Sequence, residues 1–178
     1  FLGMAFLVAI FVVFLIIVAQ FNSISYPMVV MSTVLFSTIG VFLGLVVFRM
    51  DFIVLMTMLG IISLIGVVVN NAIVLMDFAR LLFERAQRKL RLDEHTIIPN
   101  DESREALIIA GRTRLRPVLL TAITAVLGLL PLAIGLNFNF FTLFSELDPH
   151  IHMGGDNVVF WGPLSWAVIF GLIFATFL

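Results

Sequence analysis

The sequence lacks cysteine and has few charged residues, and each shortage excludes a class of function. Without cysteine there is no disulfide framework, no thiolate metal site and no cysteine nucleophile. Charged residues make up 12% and hydrophobic residues 62% of the 178 residues, and the mean hydropathy is +1.20. Water-soluble domains are far more polar than this. The composition therefore predicts an integral membrane protein.

The motifs of soluble enzymes are also missing. The sequence contains no Gly-x-Ser-x-Gly, no glycine-rich phosphate loop with lysine and no His-Glu-x-x-His. We therefore expect neither enzymatic activity nor a cofactor. Weak candidates for metal ligands are His150, His152 and Asp156. The two histidines are separated by a single residue, which is a common chance pattern. We expect no metal site, and a metal carrier or intramembrane metalloenzyme using these residues is kept as an alternative.

Long apolar runs are what the sequence does contain. A helix rises about 1.5 Å per residue, so about 20 residues cross a hydrocarbon layer of about 30 Å. Apolar runs near this length lie at about residues 1–19, 27–48, 52–78, 117–136 and 158–178. The predicted fold is all-α: a polytopic transmembrane helix bundle of five spans in a lipid bilayer, plus a short amphipathic helix at the cytoplasmic membrane surface near residues 101–112.

The basic residues predict the orientation of the bundle. Nine of the ten lie within residues 80–116, and positively charged loops stay on the cytoplasmic side. This loop and surface helix are therefore predicted to be cytoplasmic, and the acidic loop at residues 137–157 periplasmic. Because acidic residues interrupt the basic cluster beside the membrane, we expect no nucleic-acid partner.

Two adjacent amides lie in an uncharged run, residues 52–76. Asn70 and Asn71 would lie within the bilayer, where an unpartnered amide costs several kcal/mol, so we expect them to face other helices or a hydrated cavity. Ser63, Asn70 and Asp77 are spaced by seven residues and share one helical stripe. Such a stripe either binds helices together or belongs to an ion-coupling site.

A second polar line enters the bilayer from the basic segment. Thr121 follows Arg114 by seven residues, and Thr124 lies three residues further on. Threonine hydroxyls in membrane helices often bond to their own backbone, so this line alone is ambiguous. Together the third and fourth spans predict an intramembrane polar seam, as in ion relays and helix interfaces.

Neither end of the sequence has the features of a natural terminus. The first run lacks an initiator methionine and a preceding basic segment, and the last run stops without a basic flank. We therefore expect a piece of a longer membrane polypeptide.

Three separated motifs resemble those of one transporter family. They read GVVVNNAIVLMDFARLL at residues 66–82, REALIIAGRTRLRPVLLT at residues 104–121 and GLLPLAIG at residues 128–135. In this order they resemble the C-terminal membrane half of resistance-nodulation-division (RND) efflux transporters, and the resemblance covers nearly the whole chain. The five spans would correspond to spans eight to twelve of a twelve-helix protomer.

The resemblance implies a secondary-active, proton-driven exporter of drugs, amphiphiles or metal ions in the bacterial inner membrane. It implies a homotrimer whose large periplasmic porter domains bind substrate and dock a periplasmic adaptor and an outer-membrane channel. The porter domains and the N-terminal membrane half are absent from this sequence. In the family, a relay links acidic residues of the fourth span to the tenth and eleventh spans. The matching positions here are Asn70 on the tenth span and Arg114 and Thr121 on the eleventh.

The predicted ion-coupling seam consists of Asn70, Asn71, Arg114 and Thr121, with Ser63, Asp77 and Thr124 in support. The best-studied multidrug members have lysine at the position of Asn70. Asparagine carries no titratable charge, so the titrating group would be a carboxylate outside this sequence. Residues 85–99 also form a longer loop than is common in the family. The alternative is a structural or assembly membrane module without ion coupling of its own, whose amides only hold helices together.

Overall fold

Five α-helices account for most of the protein in the structure, a computed structural model that describes residues 1–90, 99–137 and 152–177. The helices are α1 (Leu2–Phe21), α2 (Ser25–Val47), α3 (Val54–Leu90), α4 (Asn100–Ile134) and α5 (Asp156–Phe177). Each is long and apolar enough to cross a membrane. The predicted all-α bundle of five spans is therefore confirmed.

Local sequence explains where the helices begin and end. The first helix, α1, ends at Asn22, whose left-handed backbone (φ 46°) lets its N–H bond to the Val18 carbonyl. Pro27 lies in the first turn of α2, where its missing N–H costs no hydrogen bond. The αL residue Gly135 (φ 72°) ends α4 in the same way as Asn22 ends α1. Long apolar runs between such signals leave the chain few alternatives to helix, because hydrocarbon cannot solvate its backbone.

The last helix, α5, lies at the centre of the bundle. It packs against α2, α3 and α4 and is the most buried of the five, whereas α1 contacts α2 and α3 and is the least buried. Leu64, Ala167 and Leu172 belong to one buried cluster that joins α3 to α5. The position of α3 and α4, which carry the polar seam, is therefore set by their shared contact with α5.

Aromatic rings of α5 fit against two glycines of α2. A side chain at Gly40 would overlap Phe174, and one at Gly44 would overlap Phe170. The Phe170 ring also stacks on Phe48, with ring centroids 5.0 Å apart. Van der Waals contact of this kind drives helix association in a membrane, because lipid tails are as apolar as the side chains they replace.

The segment predicted as a short surface helix is continuous with the fourth span. Residues 100–112 form the first turns of α4, which runs through Arg114 and Pro117 without a break. The physical reason is that α3 extends to Leu90 and provides a partner. Ala106 and Ala110 are buried, and Ala106 lines a groove with residues 82–89 of α3. The neighbouring helix α3 therefore packs on the side of Ala106 and Ala110, while the larger side chains of Leu107, Ile108 and Ile109 stay exposed.

The end of α4 is held by side-chain hydrogen bonds and a small antiparallel ladder. Trp166 Nε1 donates to the Ala133 carbonyl oxygen at 3.1 Å, which satisfies one of the carbonyls left open at a helix end. Strand β1 (Leu136–Asn137) pairs with strand β2 (His152–Met153). These contacts join α4 to the start of α5.

We predict that Gly44→Leu destabilises the protein by about 1–3 kcal/mol, because the new side chain must displace the Phe170 ring from a packed interface. The measurement is the unfolding free energy in detergent. Gly3→Leu is the matched control, since a side chain at Gly3 meets nothing within 4 Å. Equal stability of the two variants would contradict the proposed packing.

Candidate functional site

The candidate site lies along the contact between α3 and α4, which run antiparallel in a regular register. Asn71 contacts Thr121, and seven residues along each helix Phe78 contacts Arg114. The helices have 37 and 35 residues, so at about 1.5 Å per residue each exceeds 50 Å. Both therefore project beyond a hydrocarbon layer of about 30 Å. They do so at the end where the basic residues lie, which we call the basic end.

A contact of Arg80 shows that α1 reaches the same basic end. Its Nη1 lies 3.4 Å from the carbonyl oxygen of Phe21, the last residue of α1. Its Nε also forms an ion pair with Glu84 at 3.2 Å, on the solvent-exposed part of α3. The polar contacts of α3 therefore begin inside the bundle and continue past its basic end.

The amide of Asn71 and the hydroxyl of Thr121 form the polar contact at the centre of the site. Thr121 Oγ1 lies 3.4 Å from Asn71 Oδ1 and 2.9 Å from the Val118 carbonyl oxygen. A hydroxyl has one proton, and the shorter bond to Val118 uses it better. The contact with Asn71 is strongest when the amide nitrogen faces Thr121 and donates to its oxygen, an orientation open to any asparagine.

Thr124 is satisfied within its own helix. Its Oγ1 lies 2.8 Å from the Leu120 carbonyl oxygen and 3.0 Å from that of Thr121. This is the common state of threonine in membrane helices. Of the two threonines in the predicted seam, Thr121 therefore carries the described contact with α3.

Arg114 binds an aromatic ring rather than a carboxylate. Its guanidinium carbon lies 4.5 Å from the centroid of the Phe78 ring, a cation–π distance. Its Nε is buried and makes no hydrogen bond to the described residues. Sequence reasoning missed Phe78. The seven-residue step from Asn71 could have found it, because residues seven apart share a helix face.

The heptad stripe of α3 is exposed. Ser63, Asn70 and Asp77 all lie on the surface of the bundle, and within the described residues Asn70 makes no side-chain hydrogen bond. Thr121 and Thr124 of α4 are exposed as well. We call these five residues the open polar face. Asn71 thus reaches Thr121, while Asn70, one residue away, faces outward because successive helical residues are rotated by about 100°.

Two of the three weak candidates for a metal site fall outside the part of the chain that the structure describes. His150 and the side chain of His152 lie outside the described residues, and Asp156 is exposed at the start of α5. No group of three or more histidine, aspartate or glutamate residues suited to a metal occurs in the part of the chain that the structure describes.

Five apolar helices with polar side chains along one helix pair define a polytopic membrane protein. The family model for the AcrB/AcrD/AcrF family matches residues 2–137, more than half of the chain. The chain belongs to this family, the RND transporters, as its motifs predicted. It is a family of transporters rather than a class of enzymes.

Several relatives are similar over most of the chain. "Swarming motility protein SwrC" of Bacillus subtilis is 37% identical over 99% of the chain, and "Multidrug resistance protein MdtC" of Erwinia tasmaniensis is 35% identical over 72%. "Multidrug export protein AcrF" of Escherichia coli is 36% identical over 69%. The matched regions are 14%, 11% and 10% of these three relatives, so the chain spans a small part of their length.

We predict a measurable coupling between Asn71 and Thr121. In a double-mutant cycle of Asn71→Ala and Thr121→Ala, the unfolding free energy in detergent should give a coupling of about 0.6 kcal/mol, the usual value for hydrogen bonds between membrane helices. The cycle of Asn71→Ala with Thr124→Ala is the control. It should give a coupling near zero, because Thr124 bonds to its own helix. Equal coupling in both cycles would refute the contact.

Proposed function

We propose that this chain is part of the membrane domain of a proton-driven RND exporter of drugs, amphiphiles or metal ions. In this proposal Asn70, Asn71, Arg114 and Thr121 form one side of its ion-coupling seam. The observation that carries the proposal is the open polar face. Within the described bundle, the amide of Asn70 and the side chains beside it have no covering helix.

Membrane energetics argue that protein or water covers this face. An amide exposed to hydrocarbon costs several kcal/mol, whereas one that faces another helix or a hydrated cavity finds partners. Gly66 and Gly128 lie on the same exposed sides of α3 and α4, and an added side chain there would meet nothing within 4 Å. Small residues beside polar ones allow a partner helix to approach closely.

Family membership supports an N-terminal membrane half as the covering element. The matched relatives are about seven times longer than this chain or more, since it corresponds to at most 14% of their length. In the proposal, a carboxylate of that half takes up and releases the proton, because asparagine, threonine and a permanently protonated arginine do not titrate. Asn70 and Thr121 then respond to the protonation state of this carboxylate through hydrogen bonds, and Arg114 responds through its charge.

The same resemblance supports the remaining assignments. We propose a homotrimer in the bacterial inner membrane, with residues 80–116 in the cytoplasm under the positive-inside rule. A periplasmic adaptor and an outer-membrane channel are its proposed partners. The missing porter domains would select the substrate. "Multidrug export" and "multidrug resistance" in the names of two relatives are consistent with drugs as one substrate class.

A structural role without ion coupling is the second candidate. The observation in its favour is that Thr121 bonds to its own helix and only weakly to Asn71. In that case the amides hold α3 to its neighbours, and their removal lowers transport only in proportion to the amount of folded protein.

We predict that Asn70→Ala and Thr121→Ala in the full-length protein each lower export and substrate-dependent proton flux at least about tenfold, while protein level and trimer formation stay unchanged. Proteoliposomes with a pH-sensitive dye provide the measurement. Thr113→Ala is the matched control. Its hydroxyl lies 2.8 Å from the Ile109 carbonyl oxygen of the same helix, away from the seam.

The two candidate functions give different results in this experiment. Loss of flux at normal abundance supports coupling. A loss that follows abundance supports the structural module, and unchanged export in both variants would overturn the assignment of the seam.

A further inference from the structure

A partly open cavity lies between α2, α3, α4 and α5, next to the Asn71–Thr121 contact. Its volume is about 280 Å³, close to the lower limit of about 300 Å³ for small-molecule sites. Four helices line it: Thr33 comes from α2, Asn71 from α3, Arg114 from α4 and Thr176 from α5. Arg114 and the end of α5 place it at the basic end.

The charge in this cavity has no counter-charge among the described residues. Arg114 is the one charged residue among its described lining residues, and no carboxylate of the described residues pairs with it. Guanidinium stays protonated in proteins, and its buried Nε lacks an acceptor. The Phe78 ring offers a weak electrostatic contact but no hydrogen-bond acceptor. Arg114 as a whole is half-buried, and a guanidinium with a buried N–H in this state is stabilised by an anion that accepts its hydrogen bonds.

The two threonine hydroxyls of the cavity already donate hydrogen bonds to backbone carbonyls of their own helices. Thr33 Oγ1 lies 2.7 Å from the Val30 carbonyl oxygen, and Thr176 Oγ1 lies 2.7 Å from that of Leu172. Their protons therefore point to their own helices. Arg114 and the second N–H of the Asn71 amide, the one not used for Thr121, are the groups left to donate to a ligand, which suits a small anionic head group such as a carboxylate.

The rest of the lining is apolar. The side chains that form these walls are Val68, Ala72, Leu75, Leu115, Val118, Leu172 and Ala175. A free inorganic anion would leave these walls without contacts, whereas an apolar chain would cover them. The lining therefore fits an anion that carries an apolar chain.

We propose that this cavity binds an acidic amphiphile, with its carboxylate or phosphate head on Arg114 and Asn71 and its apolar chain against the walls. This ligand site goes beyond the proposed function and does not require it, although the two share residues. Binding is therefore measured in detergent without a proton gradient, so that a loss of transport coupling does not affect the result.

Gly111 provides a variant that closes the cavity while keeping its charge. It lines the cavity, and an added side chain would meet nothing within 4 Å of its first carbon. Replacing a helical glycine also favours the helix, so Gly111→Leu is expected to fold. Gly111→Ala adds one methyl group and serves as its control.

The test measures the binding of dodecanoate, dodecyl phosphate and dodecanol to the purified full-length protein by calorimetry in a neutral detergent. We expect one dodecanoate or dodecyl phosphate per chain, and binding of dodecanol weaker by about tenfold or more, as for the loss of hydrogen bonds to a charged group. Binding of dodecanoate alone indicates a fatty acid as the natural ligand, and binding of dodecyl phosphate alone indicates a phospholipid head group.

Two variants assign the binding to this cavity. Arg114→Gln should weaken the binding of the acidic probes about tenfold or more, whereas Arg116→Gln, an exposed arginine two residues away, should leave it unchanged. If Arg114→Gln does not fold, Gly111→Leu should abolish binding and Gly111→Ala retain it. The proposal is overturned if neither acidic probe binds, if dodecanol binds equally well, or if Gly111→Leu binds normally.

Discussion

A side-chain amide within an apolar helix must find a hydrogen-bonding partner, and the arrangement of α3 and α4 follows from this requirement. Hydrocarbon offers no donors or acceptors, so each polar group either pairs within the bundle or needs a partner from another protein segment or from water. Asn71 pairs within the bundle, with Thr121. Asn70 faces away from the described bundle. The two neighbours thus connect the interior of this bundle with the surface on which a further membrane segment is proposed to pack.

The packing around α5 makes this arrangement possible. Because α5 touches three other helices, α3 and α4 are held by a common partner and not only by each other. Glycines in α2 accept aromatic rings of α5, so the largest side chains lie where the helices are thinnest. A weak polar contact of 3.4 Å can then persist, since its geometry is set by packing that does not depend on it. In the proposed exporter, this leaves the Asn71–Thr121 contact free to respond to a charge on the proposed N-terminal half.

Arg114 connects the two sites that we propose. Its ring contact with Phe78 holds the guanidinium beside the cavity, on the same stripe of α4 as Thr121, seven residues away. A permanent positive charge in this position makes the local electrostatic potential more positive. It therefore attracts an anion, whether a carboxylate of the same protein or the head of an amphiphile. The long α3–α4 extension keeps this charge close to the aqueous end of the bundle.

The sequence by itself determined the five membrane-spanning helices, because hydropathy over about 20 residues admits only helices in a bilayer, and its three motifs determined the family. It also predicted one seam of Asn70, Asn71, Arg114 and Thr121, from their spacing and, for Asn70, Arg114 and Thr121, from the family motifs. Only the tertiary structure decided between Asn70 and Asn71 as the partner of Thr121. One residue is a rotation of about 100°, and helix orientation depends on contacts with distant segments. It also decided that α3 packs on Ala106 and Ala110 in the first turns of α4, since an amphipathic pattern does not say whether lipid or a helix is its partner.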